Sequence, residues 1–543
     1  MRKSTDTKQI HYNIPQITYH LIRAAITICF WGRATGKTLG PGSDFIYNNV
    51  LTMPQSLGGI ASVTYDKLLT MIIPKLKMGW ERFGLINGVH FWIRKYAPDQ
   101  YRIKRPYLEP ADAKHVIHWW NGSANLLVSM DRLGISNALD LDYLYADEGK
   151  LFKEEVFAET LLTIRGNADK FGHLSNHGSI LITTDLPTNS KGKWLFDFCD
   201  EVDQESIDMI LMVQKVIFEL REKFAYANKK DQRKINSAIA KYEDDINDLR
   251  KNLVYVSYAS TLDNVHALGI DVIKKFKRTL SELNYAVSVL NQRINQIENG
   301  FYSTLDESIH SYVANNIDYQ ESLNIDFNKK VIKDCRWDAD VNNNKPLEIA
   351  FDHNAAINWI ATGQDDGSTT RLLSAKCVEH PSKLTDLLKK WYEYYKYHSC
   401  NYVVYWYDHT SIQDNAKGDI SFADEIIGFL DKKGLRVVTN YIGQAPTHRA
   451  RYYFWQKLLD EDDKDLPTFR YNQSNCEEWQ LAMEMTGVKI ARDSFEKDKS
   501  TEKNKSFPQI EAPHATDATD TLFWGKHSSG LQKTSEFFDI LSN

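Results

Sequence analysis

Three short apolar runs in the first two hundred residues each end on a polar cluster. "IRAAITICFW" (22–31) enters "GRATGKT", "LDLDYLYADEG" (139–149) ends on an acidic pair, and "GSILITTDLP" (178–187) closes on two threonines. Apolar runs of this length, separated by helical patterns, predict strands buried on both faces, and hence a mainly parallel α/β sheet. From about 204 to 253 the pattern becomes helical, with dense mixed charge and neither Pro nor Gly. This predicts a helical hairpin or coiled-coil insertion, a solvated prop rather than a catalytic element. Residues 265–300 continue helical, and the polar "RWDADVNNNKP" (336–346) reads as a linker.

A second α/β pattern begins at 347. "LEIAFD", "INWIATGQ" and "TRLLSAKCV" predict three closely spaced strands, followed by a helix over "PSKLTDLLKKWYEYYKYH" and the strand "NYVVYWYD". A helix near 421–433 and the strand "RVVTNYI" (436–442) come next, and further helices run to "APHATDATDTLFWG". The expected organisation is a core at 1–203, a helical insertion at 204–253 and a helical remainder or lid of the first domain at 254–335. A linker at 336–346 and a second domain at 347–543 complete it.

Composition narrows the class. At 543 residues the chain exceeds one ordinary core, and 42% hydrophobic with 25% charged residues is usual for globular proteins. No apolar run approaches the ~20 residues that span a bilayer, so a cytoplasmic protein with no membrane partner is expected. The six cysteines contain no C-x-x-C pair, which argues for reduced thiols. The net charge of −6 conceals an asymmetry: residues 1–150 carry 18 Lys and Arg against 12 Asp and Glu, or +6, leaving −12 for the rest. A polyanionic partner would have to be held by local patches.

In "GRATGKT", Gly36, Lys37 and Thr38 follow a strand directly. Backbone N–H groups of such a loop wrap phosphates, the lysine reaches the β/γ oxygens and the hydroxyl ligates Mg²⁺. Gly32 stands one position late for the strict motif, where Trp31 occupies the place of the first glycine. An ordinary turn is the alternative. The strand end "YADE" supplies Asp147 to hold Mg²⁺ and Glu148 to deprotonate an attacking water, which favours ATP hydrolysis over a capping pair. Thr183 and Thr184 could couple loss of the terminal phosphate to neighbouring elements, or simply be good strand residues. Arg33 is a candidate arginine finger in cis, Arg165 a weaker one, and Gln16 a candidate adenine contact.

Asp352 and Asp408 end two apolar strands of the second pattern. With those strands adjacent, both carboxylates emerge at one sheet edge, where a helix bearing Asp517 could complete a site for Mg²⁺ or Mn²⁺, with two ions clamping a phosphodiester. In "HATDATD" the spacing of three sets His514, Asp517 and Asp520 near one helix face. Asp520 is either a further ligand or a solvent-facing residue. The strand order is what a ribonuclease H-like domain requires. Two stretches interleave basic and aromatic residues: "FWIRKYAPDQYRIKRPY" (91–107), with Arg94, Lys95, Arg102, Lys104 and Arg105, and "THRARYYFWQK" (447–457). The first suits a nucleic-acid track or a basic β-hairpin equally.

In this order the motifs resemble the large terminase subunit of tailed bacteriophages, over nearly the whole chain. The likeness runs through the loop "GRATGKT" (Gly32, Arg33, Ala34, Thr35, Gly36, Lys37, Thr38), "YADE", an Ile-Arg-Gly at 164–166 and a Thr-Thr coupling motif. Asp352, Asp408 and the His-x-x-Asp-Ala of "HATDA" complete it, which makes Asp517 the better third ligand and His514 an accessory. The resemblance implies a P-loop NTPase domain followed by a ribonuclease H-like nuclease, and ATP-driven packaging of double-stranded DNA through a portal with endonuclease cuts. It also implies a small terminase partner, a ring of subunits on the procapsid, residence in the host cytoplasm and absence from the mature virion. Trp31 and the length of the 204–253 insertion depart from the family pattern. A helicase-like or repair ATPase fused to a nuclease, and a non-enzymatic docking protein, are the alternatives.

Overall fold

Each apolar run forms the strand its pattern predicts. The computed structural model describes residues 10–130, 140–187, 192–279, 285–292, 300–329, 331–354, 356–412, 420–490, 495–503 and 509–531. The fold is α/β and divides into two units. Met1–Lys277, Glu282–Ile294 and Ile325–Val331 form the first, and Arg278–Ser281, Asn295–Asn324 and Ile332–Asn543 the second.

The first unit is built on eight strands: β1 (Ile26–Trp31), β2 (Leu57–Ser62), β3 (Phe91–Ile93), β4 (Val116–Trp119), β5 (Ala124–Ser129), β6 (Tyr143–Asp147), β7 (Ile180–Thr184) and β8 (Val254–Ala259). Their order is β3-β4-β5-β2-β6-β7-β1-β8. Pairing is parallel from β5 through β8, and β3, β4 and β5 form an antiparallel flank. β2, β5, β6 and β7 are buried along their whole length, as expected of strands covered on both faces. Register sets Asp147 beside Thr183 and Phe30 beside Thr184, so the polar strand ends share one edge.

Val254–Ala259 corrects an expectation: the stretch from 254 was read as helical, yet it opens with strand β8 alongside β1. Its alternating, aromatic and β-branched "VYVSYA" fits a half-buried sheet edge, but it is only six residues long and follows a long helix, so periodicity misses it. The insertion is the expected helical hairpin, Gln204–Tyr226 and Lys229–Arg250. Ile207, Ile210 and Ile217 on one helix and Ile239 and Ile246 on the other bury a stripe against Ile22 and Leu253.

Gly58, inside β2, shows how tightly this sheet is packed. A Cβ there would lie 2.1 Å from Cζ of Tyr143, a fully buried ring whose hydroxyl accepts from Asn125 Nδ2 at 2.9 Å. Because the ring has nowhere to go, Gly58→Ala is expected to destabilise the first unit by about 1–3 kcal/mol, measured by denaturant unfolding. An unchanged midpoint would show that the Tyr143 ring can move.

The second unit holds β9 (Ser311–Tyr312), β10 (Leu347–His353), β11 (Ile357–Asp366), β12 (Thr369–Glu379), β13 (Tyr402–Tyr407), β14 (Arg436–Tyr441) and β15 (Thr468–Asn472) in the order β14-β13-β10-β11-β12-β15-β9. β10, β11 and β12 are antiparallel, while β13 and β14 run parallel to β10. β10, the first strand of the pattern that begins at 347, thus lies between β13 and β11. Strand alternation separates two cores. Ile349, Phe351 and Ile360 face Leu387, Leu388 and Trp391 of helix Leu384–Tyr395, and Ile426 and Leu430 of helix Phe422–Lys432. Ala350, Trp359 and Ala361 face the opposite side, with Ala515, Ala518 and Leu522 of the C-terminal helix His514–Leu531. Among the described residues no helix is long and apolar enough to cross a membrane.

Candidate functional site

The loop after β1 is shaped by two residues in the left-handed region, Ala34 (φ 59°) and Gly36 (φ 84°). Gly36 is required twice over, since a Cβ there would also lie 2.8 Å from Gln16 Nε2. Gln16 braces the loop: Nε2 donates to the Gly36 carbonyl at 3.3 Å and Oε1 accepts the Asn13 N–H at 3.1 Å. Its amide therefore links the loop to the N-terminus of helix Ile14–Ile22. Asn264 adds a second brace, donating to the Ala34 carbonyl at 2.8 Å. Trp31 is a core residue, fully buried, with its indole N–H on Ser257 Oγ at 3.0 Å. Only its carbonyl faces the loop, where it accepts from Lys37 Nζ at 3.1 Å. The bulky side chain thus leaves the loop's interior free.

Thr38 and Asp147, 109 residues apart, meet at this loop: Thr38 Oγ1 donates to Asp147 Oδ2 at 3.3 Å. Thr183 Oγ1 donates to Asp147 Oδ1 at 2.5 Å, which fixes the carboxylate from its other side. A hydroxyl and a carboxylate placed so are the hard-oxygen donors of a nucleotide-bound Mg²⁺, so these residues fit the ion by chemistry. Glu148 adopts φ 62°, with its N–H on the Thr183 carbonyl at 2.8 Å. Burial raises its pKa above 4.5; Lys37 opposes the rise, and Asp185 and Asp147 add to it.

Sequence reading missed three residues here. Asp185 lies 3.6 Å from Lys37 Nζ and 2.9 Å from Lys150 Nζ. Burial would raise its pKa, but Lys150, Lys37 and Arg33 hold it well below the carboxylate range. Asn291, also at positive φ (54°), donates through Nδ2 to Phe30 O at 2.7 Å and Ala259 O at 3.2 Å, and accepts the Leu186 N–H at 3.1 Å. It thereby ties the ends of β1, β8 and β7 together. "TTD" was a local signal for Asp185; nothing local points to Lys150 or Asn291. Arg33 is exposed at the loop, with its carbonyl accepting from Thr261 Oγ1 at 2.7 Å. Arg165, 71% exposed, pairs with Asp140 at 2.7 Å.

In the second unit the parallel β10–β13 register pairs Leu347 with Val403 and Ile349 with Tyr405, and Asp352 and Asp408 each follow that last bonded pair by three residues, at the same end of the sheet. Asp352 Oδ2 is 3.0 Å from His514 Nδ1, and His514 Nε2 is 3.1 Å from Gln509 Oε1. Burial lifts the Asp352 pKa, reinforced by Asp517 and partly offset by His514. Burial disfavours the His514 cation, but the bond to Asp352 outweighs it and raises the imidazole pKa. Asp408 is buried and accepts the Thr410 N–H at 2.9 Å and its hydroxyl at 2.5 Å.

Asp517 and Asp520 carry a counter-charge that the sequence did not disclose. Lys497 Nζ, fully buried on the short strand Phe495–Lys497, donates to Thr516 Oγ1 at 2.8 Å, Asp517 Oδ1 at 2.8 Å and Asp520 Oδ2 at 2.7 Å. Arg451 Nη1 reaches the same oxygens at 2.9 and 3.2 Å. Asp520 Oδ1 accepts from Tyr302 at 2.8 Å and Trp455 Nε1 at 2.7 Å, so both its oxygens are engaged within the core. Asp520 is thus a buried network residue and not a solvent-facing one. Asp517 also binds Lys499, which lies 3.4 Å from Glu502. Burial would raise the Asp517 pKa, but Lys497, Lys499 and Arg451 hold it well below the carboxylate range.

The carboxylates of Asp352, Asp408 and Asp517 are hard donors of the kind Mg²⁺ or Mn²⁺ takes. Their oxygens do not all come within 4.8 Å of one another, so the set fits the ion by donor chemistry and not by spacing. Glu502 beside them was not singled out from sequence. Of the basic stretches, 91–107 presents Lys95, Arg102 and Lys104 to solvent, while Arg105 stacks on Tyr96 at 3.6 Å. Only Phe91–Ile93 of this stretch is a strand. Helix His448–Asp460 turns Arg451, Phe454 and Trp455 inward.

No family model matches the chain, and no curated protein does. Solved structures do. The large terminase of the thermophilic bacteriophage D6E in complex with ATP-gamma-S is similar over 95% of this chain and 99% of its own, at 12% identity and a TM-score of 0.37. The large terminase ATPase domain of Thermus phage P74-26 is similar over 53% of this chain and 94% of its own, at 15% identity and a TM-score of 0.30. The Phi-28 gp11 DNA packaging motor is similar over 86% of this chain and 96% of its own, at 9% identity and a TM-score of 0.24.

Proposed function

We propose that the chain is a DNA-packaging enzyme of the large terminase kind, hydrolysing ATP in its first unit and cutting DNA in its second. One observation carries the first half. Lys37, Thr38, Asp147 and Glu148, far apart in sequence, converge at the C-terminal edge of a parallel sheet, where α/β folds bind nucleotides. In this reading the loop 32–38 and Lys37 bind the triphosphate, Thr38 and Asp147 hold its Mg²⁺, and Glu148 orients and deprotonates the attacking water. Bound Mg²⁺ would neutralise charge developing on the phosphates. Arg33 extends from the loop as the candidate cis finger.

Asp352, Asp408 and Asp517, with Glu502 at hand, are the side chains that would hold Mg²⁺ or Mn²⁺ in the second unit, where such ions polarise a phosphodiester. His514 orients Asp352. The packaging assignment itself rests on the order of the motifs along the chain. It brings with it double-stranded DNA, a procapsid portal, a small terminase subunit and a ring of copies as partners, in the host cytoplasm. Lys95, Arg102 and Lys104 are the basic side chains best exposed for DNA.

Asp352→Asn and Asp408→Asn are expected to lower Mn²⁺-dependent nicking of plasmid DNA by at least ~10²-fold while leaving ATP turnover intact. Gel assay and phosphate release on the same preparations check both halves. Undiminished nicking in both variants would sink the nuclease assignment.

A further inference from the structure

We propose that Asp185, which directly follows the two threonines read as coupling residues, is a positioning residue of the nucleotide site: it orients Lys37. The inference rests on the nucleotide-hydrolysing reading above.

Both threonine hydroxyls are committed elsewhere. Thr183 Oγ1 donates to Asp147, and Thr184 Oγ1 donates to the Asp185 carbonyl at 3.1 Å while accepting the Lys150 N–H at 3.2 Å. The Asp185 carboxylate instead divides between two cations, Oδ1 toward Lys37 at 3.6 Å and Oδ2 toward Lys150 at 2.9 Å. Lys37 is therefore held from two sides, by the Trp31 carbonyl of its own loop and by the end of β7. A lysine stem is long and rich in rotamers, so a fixed carboxylate behind the ammonium is an effective way to aim it. The carboxylate is itself fixed. Asn291 secures the next residue, Leu186, to the ends of β1 and β8.

The charges give the sign of the effect. Asp185 is an anion among Lys37, Lys150 and Arg33, so removing its charge strengthens the local field for a polyphosphate while freeing Lys37 to wander. Binding and turnover then move in opposite directions, whereas loss of a merely structural residue lowers both. Removing Lys150 does the reverse, leaving the whole carboxylate to Lys37 and taking away one cation.

Full-length parent, Asp185→Asn and Lys150→Met are compared by titration with a fluorescent ATP analogue and by steady-state hydrolysis, with thermal melts to confirm folding. For Asp185→Asn the expected result is a Kd equal to the parent's or several-fold lower, with kcat down about tenfold or more. For Lys150→Met a several-fold higher Kd is expected, which keeps the test decisive if Asp185→Asn does not fold. An Asp185→Asn variant that binds more weakly in step with its loss of turnover, or turns over like the parent, overturns the proposal. A parent that neither binds nor hydrolyses ATP overturns the nucleotide reading itself, a separate and recognisable failure.

Discussion

Glu148→Gln is expected to bind ATP as the parent does and to hydrolyse it about 10²–10⁴-fold more slowly, the range lost when a positioned general base is removed. The substitution keeps the shape of a side chain whose backbone is already set, at φ 62° with its N–H on Thr183, so the loop and Lys37 should be undisturbed. Lys37→Ala should behave differently, losing the bound nucleotide along with turnover, because it removes the ammonium rather than the base. The parent's pH profile offers a further check. Glu148 acts as a base only when ionised, and burial raises its pKa above 4.5, with Asp185 and Asp147 adding to the rise against Lys37. Turnover should therefore fall as pH is lowered through that raised value, at a higher pH than an exposed glutamate would give. Glu148→Gln turning over within a few-fold of the parent would remove Glu148 from the chemistry.

What the sequence disclosed about these sites is what short-range pattern can encode. "GRATGKT", "YADE" and "ITTD" each place polar residues at the end of an apolar run, and the sheet brings those ends together because parallel strands share an edge. Asp352 and Asp408 were legible in the same way. The helix "HATDATD" was legible as a helix bearing acidic candidates, but the cations that balance its charge were not, because they come from Arg451 and Lys497, 66 and 20 residues from Asp517. Trp31 illustrates the converse. As a letter it breaks a motif, but its side chain lies in the core with Ser257 and only its carbonyl belongs to the loop. Strand β8 escaped for a plainer reason: six alternating residues behind a 22-residue helix leave too short a period to detect.

Lys497→Met is expected to destabilise the second unit by about 3–5 kcal/mol, the usual penalty for stranding a buried charge. Lys497 Nζ has all three hydrogens on buried acceptors, two of them carboxylates, and its side chain has no exposure. Met matches the stem but leaves Asp520 with Arg451 as its one remaining cationic partner. The defect should be repairable from the other side. Adding Asp520→Asn removes the stranded charge while keeping acceptors for Tyr302 and Trp455, so the double variant should regain part of the loss. Acid should narrow the gap too. The Asp517 pKa is held below the carboxylate range chiefly against burial by Lys497, so the stability this gives the parent is present above ~3.9, the unfolded value, and declines as pH falls through the folded one. Calorimetry at neutral pH reads the first effect and its extension below about pH 4, the unfolded carboxylate value, reads the second; a loss under ~1 kcal/mol at neutral pH would mean that water or Lys499 replaces the missing ammonium.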